Sequence, residues 1–284
     1  MLIGQVTDIH LGFEPNNPAE FNRARLDRVV GRFLHGVNRP ELVLATGDLV
    51  DRGDIASYRR LREAFEELPC PVLCAVGNHD ARANFLEVFP ETPTADGFIQ
   101  YVVELDGRRL IIVDTLEEGR HGGAFCEVRA AWLNARLQEA PDTPTVIVMH
   151  HPPVEVGIDW MNTHPDEPWV ERFARAIAGH RQVQALLCGH IHRAISAPWN
   201  GVTVSVCSSS APQVGLDLRP IDPEAPDLRD MIVAEGPGYA LHRWTESGFV
   251  SHFGSIGEQV TFARYDAKMQ PLVRSMIAER PSGD

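Results

Sequence analysis

Short apolar runs alternate along the chain with amphipathic stretches, and each kind of stretch predicts one kind of secondary structure. Several runs are almost wholly apolar and rich in Val, Leu and Ile, which is typical of strands that are covered on both faces. The strands predicted in this way cover residues 2–7, 42–46, 71–76, 101–105, 110–114, 145–149, 184–188 and 202–207.

Helical patterns fill the intervals between these strands. Residues 18–38 place most of their large apolar side chains along one stripe, and Asp54 is a suitable N-cap for a helix over 54–68. Further helices are predicted over residues 127–139, 168–178 and 266–279. This alternation of strand and helix predicts an α/β protein in which helices cover the sheets.

The pattern changes after residue 207. Residues 208–238 are loop-like and contain five prolines, whereas 239–254 predict a hairpin whose turn is Glu246-Ser247-Gly248. We therefore expect one main domain over residues 1–256, in which 208–238 is a loop-rich insertion. Residues 257–284 are expected to form a tail with a helix that packs on this domain or joins subunits.

Composition narrows the choice of partners and compartment. The formal net charge of −13 argues against a nucleic-acid polymer or an anionic membrane as partner, since both need basic patches. The five cysteines lack zinc-finger spacing, and we expect them to be reduced thiols. The N-terminus has no signal-peptide pattern and no apolar stretch is long enough for a bilayer, so a cytoplasmic location is expected.

Five of the predicted strands are followed, directly or after one glycine, by Asp, His or Asn. These segments are Asp8-Ile9-His10, Gly47-Asp48, Gly77-Asn78-His79-Asp80, His150-His151 and Gly189-His190-Ile191-His192. Ligands of α/β sheets bind beyond the carboxyl ends of the strands, so we expect these side chains to converge. Such a group would repel itself or shift its pKa values unless divalent cations were present. The oxygen and nitrogen donors suit Mn, Fe, Zn or Co.

The spacing inside two of these segments has its own interpretation. In an extended strand, Asp8 and His10 point to the same face, and so do His190 and His192. Each pair could therefore bind one ion or span two adjacent ions. A glycine stands before several of the polar residues, where it allows a left-handed turn or close backbone contact.

The ordered set of five segments resembles that of the calcineurin-like metallophosphoesterases, over residues 3 to about 210. The branches that it resembles are the bacterial class III cyclic nucleotide phosphodiesterases and the glycerophosphodiesterases. This resemblance implies a four-layer α-β-β-α sandwich of two mixed sheets. It also implies two divalent metal ions as cofactors.

The resemblance further implies a role for each polar residue. One metal would take Asp8, His10 and His192, the other would take Asn78, His150 and His190, and Asp48 would bridge them. His79 would stay off the metals as the catalytic residue, where it donates a proton to the leaving oxygen or stabilises charge on the phosphate. Asp51 and His151 are interpreted as supports beside the ligands.

The implied function is hydrolysis of a small phosphodiester, such as 3′,5′-cAMP or a glycerophosphodiester, by a hydroxide held between the metals. The sequence shows no P-loop, GxSxG elbow or evident Ser/His/Asp order, so no protein nucleophile is predicted. Two alternatives remain open. The same site could act on phosphomonoesters or lipid headgroups, or the chain could be a non-catalytic scaffold with a vestigial metal site. A homodimer is expected.

Overall fold

Two mixed β-sheets form the centre of the protein. The structure is a computed structural model, and it describes residues 1–280 except Asn16 and Pro18. The first sheet has the order β13-β12-β1-β2-β3, with β1 at Leu2–Val6, β2 at Leu42–Thr46, β3 at Val72–Ala75, β12 at Gly238–Thr245 and β13 at Gly248–Ser255. The second has the order β4-β5-β6-β7-β9-β8, with β4 at Tyr101–Leu105, β5 at Arg108–Ile112, β6 at Thr145–Val148, β7 at Val183–Cys188, β8 at Ile195–Trp199 and β9 at Val202–Val206.

Helices cover the outer faces of the two sheets. They are α1 at Phe21–His35, α2 at Ile55–Glu66, α3 at Arg82–Val88, α4 at Glu127–Gln138 and α5 at Pro168–Ile177. A further helix, α6 at Gln270–Ala278, has no buried residue. A 3₁₀ turn spans Asp159–Met161, and two short strands, β10 at Gln213–Val214 and β11 at Ile232–Val233, pair with each other. None of the described helices combines the length and the apolar character that crossing a bilayer requires.

Side chains of the central strands alternate between two apolar cores. Val146 and Val148 of β6 belong to the core that β1, β2, α1 and α2 share, whereas Ile147 belongs to the core under α4 and α5. The same alternation places Leu187 in the first core and Leu186 in the second. Strands that are apolar on both faces therefore sit between two helical layers. The predicted four-layer sandwich of two mixed sheets is confirmed.

Most predicted elements are present, and several details differ. The helix predicted over 18–38 is shorter, from Phe21 to His35, and the backbone is extended at Gly36, the residue that follows it. The hairpin is confirmed, with Glu246 and Ser247 between its strands. Within 208–238 the structure adds only the two short strands β10 and β11. The helix α3 was not predicted, because it is short and has no side-chain cap.

Candidate metal centre

Five strand ends meet at one edge of the molecule. Strands β1, β2 and β3 run parallel in the first sheet, and β6 and β7 run parallel in the second. Because parallel strands end at the same edge, the segments that follow them come into contact. The backbone N–H of Asp8 donates to Gly47 O at 3.1 Å, and that of Gly189 donates to His150 O at 3.0 Å. The N–H of His190 donates to Asp8 Oδ1 at 2.9 Å and joins the two sheets.

The backbone of these segments is not extended, so the predicted reason for the Asp-x-His and His-x-His spacing is wrong. Strand β1 ends at Val6, and Asp8 and His10 have φ angles of 48° and 47°. His190 and His192 likewise have φ angles of 71° and 58°. These left-handed residues turn the chain sharply. Each pair therefore reaches the cluster through a tight turn and not through the two-residue period of a strand.

Four side chains form one half of the cluster. His10 Nε2 lies 3.2 Å from His192 Nε2 and 3.6 Å from Asp48 Oδ2. His192 Nε2 lies 3.4 Å from Asp8 Oδ1. These four residues each offer a ligand atom within 4.8 Å of the others. Two carboxylates and two imidazoles at such distances could hold one divalent cation.

The other half of the cluster also contacts Asp48. His150 Nε2 is 3.3 Å from Asp48 Oδ2, and the ring of His190 is 5.2 Å from that of His150. The backbone N–H of His79, the residue after Asn78, donates to Asp48 Oδ1 at 2.9 Å, and a Cβ on Gly77, the residue before Asn78, would lie 2.3 Å from the same oxygen. Asp48 is therefore in contact with both halves. All seven predicted ligands are brought together.

Backbone carbonyls fix the orientation of two imidazoles. His150 Nδ1 donates to Thr46 O at 2.8 Å, and His192 Nδ1 donates to Pro212 O at 2.8 Å. A carbonyl oxygen only accepts, so Nδ1 carries the hydrogen in both rings. In the neutral ring Nε2 is then left with its lone pair directed at the cluster, which is the usual arrangement of a metal-binding histidine.

Two orphaned atoms test whether metal ions fit these residues. Asn78 Oδ1 and His150 Nε2 are buried, and no well-directed hydrogen bond within the described chain reaches either atom, although Asp48 Oδ2 lies 3.3 Å from His150 Nε2. Leaving a buried polar atom unpaired costs about 1–3 kcal/mol, so such atoms call for a partner. Both atoms are metal-ligand types and both belong to the same half of the cluster. The residues present therefore fit divalent metal ions.

Burial and mutual charge shift the pKa values of the cluster in opposite directions. Burial raises the pKa of Asp8 to about 6, although His150 opposes this shift. Burial disfavours the charged form of Asp48 too, but His150 outweighs it and holds the pKa of Asp48 well below its usual value. Burial, reinforced by His150, lowers the pKa of His190 to about 3. Such opposed shifts in one small space are typical of a functional site.

His151 lies beside His150 and His190, and both of its ring nitrogens already form hydrogen bonds. Its Nε2 donates to His121 O at 3.1 Å, and its Nδ1 accepts from the hydroxyl of Thr115 at 2.8 Å. Burial lowers the pKa of His151 well below its usual value, which keeps the ring neutral. The geometry supports the interpretation of His151 as a support and not a ligand.

His79 lies at the more open side of the cluster. Its side chain is 31% exposed, against 10% for His10 and 0% for His150. His79 Nδ1 donates to Asp51 O at 2.9 Å, and its ring packs edge-on against that of His10 at 4.5 Å. Asp51 also places Oδ1 3.3 Å from His10 Nδ1. Asp51 thus orients two histidines, and the Nε2 of His79 is left for other contacts.

Asp80 supports the site and was not predicted. Its carboxylate accepts from the backbone N–H groups of Leu49, Val50 and Gly77 and from the hydroxyl of Tyr58, at distances of 3.3, 3.4, 2.8 and 2.9 Å. It therefore ties the segment after β2 to the segment after β3. Burial raises its pKa to about 6. The signal was present, because Asp80 ends the same tetrapeptide that contains Asn78 and His79.

Comparison with protein families and curated proteins gives consistent matches. The family model described as calcineurin-like phosphoesterase matches residues 1–194. A probable glycerophosphodiester phosphodiesterase, GpdQ, from Arcobacter nitrofigilis is 31% identical over 265 residues, which cover 91% of this chain and 94% of that protein. A probable cyclic nucleotide phosphodiesterase from Rhodopseudomonas palustris is 35% identical over 252 residues, which cover 80% of this chain and 89% of that protein.

Solved structures show the same architecture at lower sequence similarity. GAP50, the anchor in the inner membrane complex of Plasmodium, aligns with a TM-score of 0.59 at 12% identity. The alignment covers 90% of this chain and 84% of that one. At this identity the match shows likeness of fold alone.

Proposed function

The chain belongs to the calcineurin-like phosphoesterase family, and we propose that it hydrolyses small phosphodiesters with the help of divalent metal ions. The two relatives named above are described as a probable glycerophosphodiester phosphodiesterase and a probable cyclic nucleotide phosphodiesterase. We propose a substrate of one of these two classes. Both present a singly charged phosphodiester on a small alcohol or nucleoside.

Two ions are proposed, one for each half of the cluster. The ligands proposed for them are Asp8, His10 and His192 on one side and Asn78, His150 and His190 on the other, with Asp48 between them. The pair of buried unpaired atoms, Asn78 Oδ1 and His150 Nε2, supports the second ion. The group of Asp8, His10, Asp48 and His192, whose ligand atoms lie within 4.8 Å of one another, supports the first. Mn, Fe, Zn and Co all suit this mixture of carboxylate, imidazole and amide donors.

The chemistry is divided between the ions and the side chains. Bound divalent cations polarise a phosphoryl group and lower the pKa of water, which provides an oxygen nucleophile near neutral pH. His79, oriented by the carbonyl of Asp51, holds a proton at Nε2 and gives it to the leaving oxygen. Asp51 and Asp80 keep His10, His79 and the strand ends in position.

The direct test is hydrolysis of bis(p-nitrophenyl) phosphate by protein purified without chelator. We expect turnover that depends on added Mn²⁺ or a related ion, and elemental analysis of the same sample should find about two ions per chain. Absence of turnover with every divalent ion would contradict the proposal and would favour the scaffold alternative.

A second substrate separates diesterase from monoesterase. We expect p-nitrophenyl phosphate to react more slowly than the diester under the same conditions, because the relatives named above are phosphodiesterases. Faster reaction of the monoester would assign the site to phosphomonoesters. Glycerophosphodiesters and cyclic nucleotides, tested next in parallel, would then identify the substrate class.

A cytoplasmic location is also proposed. All five cysteines are unpaired thiols, and Cys74, Cys188 and Cys207 are buried. Free thiols in this number suit a reducing compartment. Fractionation of cells that produce the tagged chain, with a periplasmic marker enzyme as reference, would test this location.

A further inference from the structure

Two polar side chains stand at the N-terminal end of the buried stripe of α1. Asn22 and Arg25 are only 6% and 5% exposed. They are three positions apart, so both side chains lie on the same face of the helix. The remaining buried residues of this helix are apolar, namely Leu26, Val29, Val30 and Phe33. A buried amide and a buried guanidinium in such a stripe need hydrogen-bond partners, and these partners indicate what the two residues do.

Asn22 contacts the backbone of one proposed metal ligand. Its Nδ2 donates to His10 O at 2.9 Å. His10 has a left-handed φ of 47°, a conformation that persists only where surrounding contacts impose it. The amide of Asn22 is one of these contacts, so α1 helps to keep His10 in its turn.

Arg25 binds backbone carbonyls of the chain beyond β9. Its Nε donates to Ser210 O at 2.6 Å, its Nη2 to Ala211 O at 3.1 Å and its Nη1 to Glu235 O at 2.7 Å. Burial, reinforced by the charge of Arg28, lowers the pKa of Arg25 to about 10, so the guanidinium is still charged at neutral pH. Hydrogen bonds from a charged donor are stronger than neutral ones. The planar guanidinium therefore fixes the path of this segment.

The segment that Arg25 holds contacts two further metal ligands. Pro212 O accepts from His192 Nδ1 at 2.8 Å. The backbone N–H of Ala211 donates to Asp8 O at 3.2 Å. A shift of this segment would therefore move the carbonyl that orients the ring of His192 and release the backbone of Asp8.

The contacts made by α1 lead to one half of the cluster. They end on the ligands proposed for one ion, called the first ion here: Asp8, His10 and His192. In the part of the chain that the structure describes, Asn22 and Arg25 form no hydrogen bond to the ligands of the second ion. His150 of that second group donates instead to Thr46 O of β2. The two ions thus differ in the element that supports their ligands.

We propose that Asn22 and Arg25 are positioning residues for the first metal ion, an inference that rests on the function proposed above. Together they hold the backbone around three ligands in place before the ion binds. Residues that orient metal ligands in this way usually contribute about 10- to 100-fold to metal affinity. Loss of either side chain should therefore weaken the first ion and leave the second unchanged.

The test measures the Kd of each ion in the full-length protein, with free Mn²⁺ set by a chelator buffer. Arg25→Lys keeps the charge but loses the planar guanidinium that spans three carbonyls. We expect the Kd of one ion to rise about 10- to 100-fold and that of the other to stay the same. Arg28→Lys is the matched control, since Arg28 is exposed on the same helix and donates to Ile256 O. This variant should change neither Kd.

Two further backgrounds identify the ion that is weakened. Asn78→Ala should retain the first ion, and adding Arg25→Lys should then weaken the ion that remains. His192→Ala should retain the second ion, on which Arg25→Lys should have no effect. The same pairs made with Asn22→Ala repeat the test without changing the buried charge.

The possible results separate this inference from the function on which it rests. If both ions, or neither, were weakened by Arg25→Lys and by Asn22→Ala, the positioning role would be overturned and the metal centre would stand. A wild-type chain that bound no Mn²⁺ would overturn the proposed function and this inference together.

Discussion

Individual side chains of the proposed metal centre are positioned by hydrogen bonds to the surrounding backbone. His150 and His192 each donate Nδ1–H to a carbonyl, and the ring of His79 is held by Asp51 O in the same way. Rings that are fixed before a ligand arrives lose little conformational freedom on binding. Single substitutions should therefore distinguish residues that bind a metal ion from residues that act only in catalysis.

Asn78→Ala should remove one ion. The amide oxygen of Asn78 is buried and unpaired, and removing a metal ligand weakens binding by at least the 10- to 100-fold that the loss of a supporting residue costs. We expect about one ion per chain and less than a tenth of the activity, measured by elemental analysis and diester hydrolysis. Asn134→Ala, on α4 and bonded to Ala176 O, should keep both ions; full activity in Asn78→Ala would refute the ligand role.

His79→Ala should slow the chemistry and keep the ions. A proton donor contributes roughly 10²- to 10⁴-fold when the leaving alkoxide is a strong base. The loss in kcat should therefore be large with an alkyl phosphodiester and smaller with a nitrophenyl ester, whose leaving group needs no proton. His164→Ala, at an exposed position, should affect neither substrate. An equal loss on both substrates would show that His79 acts through binding and not as an acid.

Elements position the site through the loops at their ends, where glycine allows close contact. A Cβ atom on Gly47 would lie 2.4 Å from His150 Nδ1, and the residue has a φ of +91°. The position of the His150 ring therefore depends on the absence of a side chain at Gly47. Gly189 is constrained in a similar way, since a Cβ there would lie 2.0 Å from Thr7 Oγ1.

Gly47→Ala should destabilise the fold and disturb the cluster together. Both the left-handed φ and the contact with His150 oppose a methyl group, so we expect a loss of more than about 1 kcal/mol in the free energy of unfolding. Denaturant unfolding would measure it. Gly31→Ala is the control, because Gly31 lies in α1 with nothing within 4 Å of the added Cβ. That variant should gain up to about 1 kcal/mol, and equal effects of both changes would contradict the argument.

The hairpin strand β12 carries a buried histidine that should make stability depend on pH. His242 Nε2 donates to Gln5 Oε1 at 2.9 Å, and its Nδ1 accepts from Ser251 at 2.9 Å. Burial lowers the pKa of His242 to about 3. The folded chain therefore keeps this ring neutral, whereas the unfolded chain takes up a proton below pH about 6.5. Stability should fall as the pH decreases from about 6.5 toward 3 and be unaffected above pH 7.

His242→Gln should remove this part of the acid sensitivity. Between pH 7 and pH 5 the wild-type chain should lose about 2 kcal/mol more unfolding free energy than the variant. Urea unfolding at both pH values measures the difference. His164→Gln should keep the wild-type slope, because its side chain is 61% exposed. If the unfolding free energy fell equally with pH in His242→Gln and wild type, His242 would not be the cause of the acid sensitivity.

The succession of strands along the chain and the polar residues that follow five of them could be predicted from the sequence. Both are local features of the chain. The close contacts among the residues of the site could not be predicted in this way. Asp8 and His10 were expected on one face of a strand, yet left-handed φ angles bring them together. Thr115 contacts His151 and Pro212 contacts His192, in each case from a loop distant along the chain. Such contacts depend on tertiary packing, for which spacing in the sequence gives no signal.

At the scale of the whole molecule, the sandwich and the tail differ in how they are packed. The sandwich contains two apolar cores. Helix α6 in the tail has no buried residue, and Phe262, Leu272 and Met276 are 96%, 52% and 60% exposed. Exposed apolar side chains in such number are typical of an interaction surface. We propose that residues 257–284 join two subunits and that residues 1–256 fold alone.

Deleting residues 257–284 should therefore change the assembly and not the fold. Because the described tail buries almost nothing, we expect a change below about 0.5 kcal/mol in unfolding free energy per subunit and unchanged metal content. Light scattering after size exclusion should show a monomer in place of a dimer. A large drop in melting temperature together with an unaltered mass would show that the tail packs on its own domain.

Left-handed backbone at the metal centre has a consequence for the protein in the cell. Asp8, His10, Asp48, His190 and His192 all have positive φ, and such residues cost about 1 kcal/mol or more each. Ions that bind only the native form repay this through mass action, by about 2.7 kcal/mol at a hundredfold excess over Kd. Scarcity of the right ion would thus shorten the lifetime of the polypeptide, and its abundance would follow the supply of trace elements.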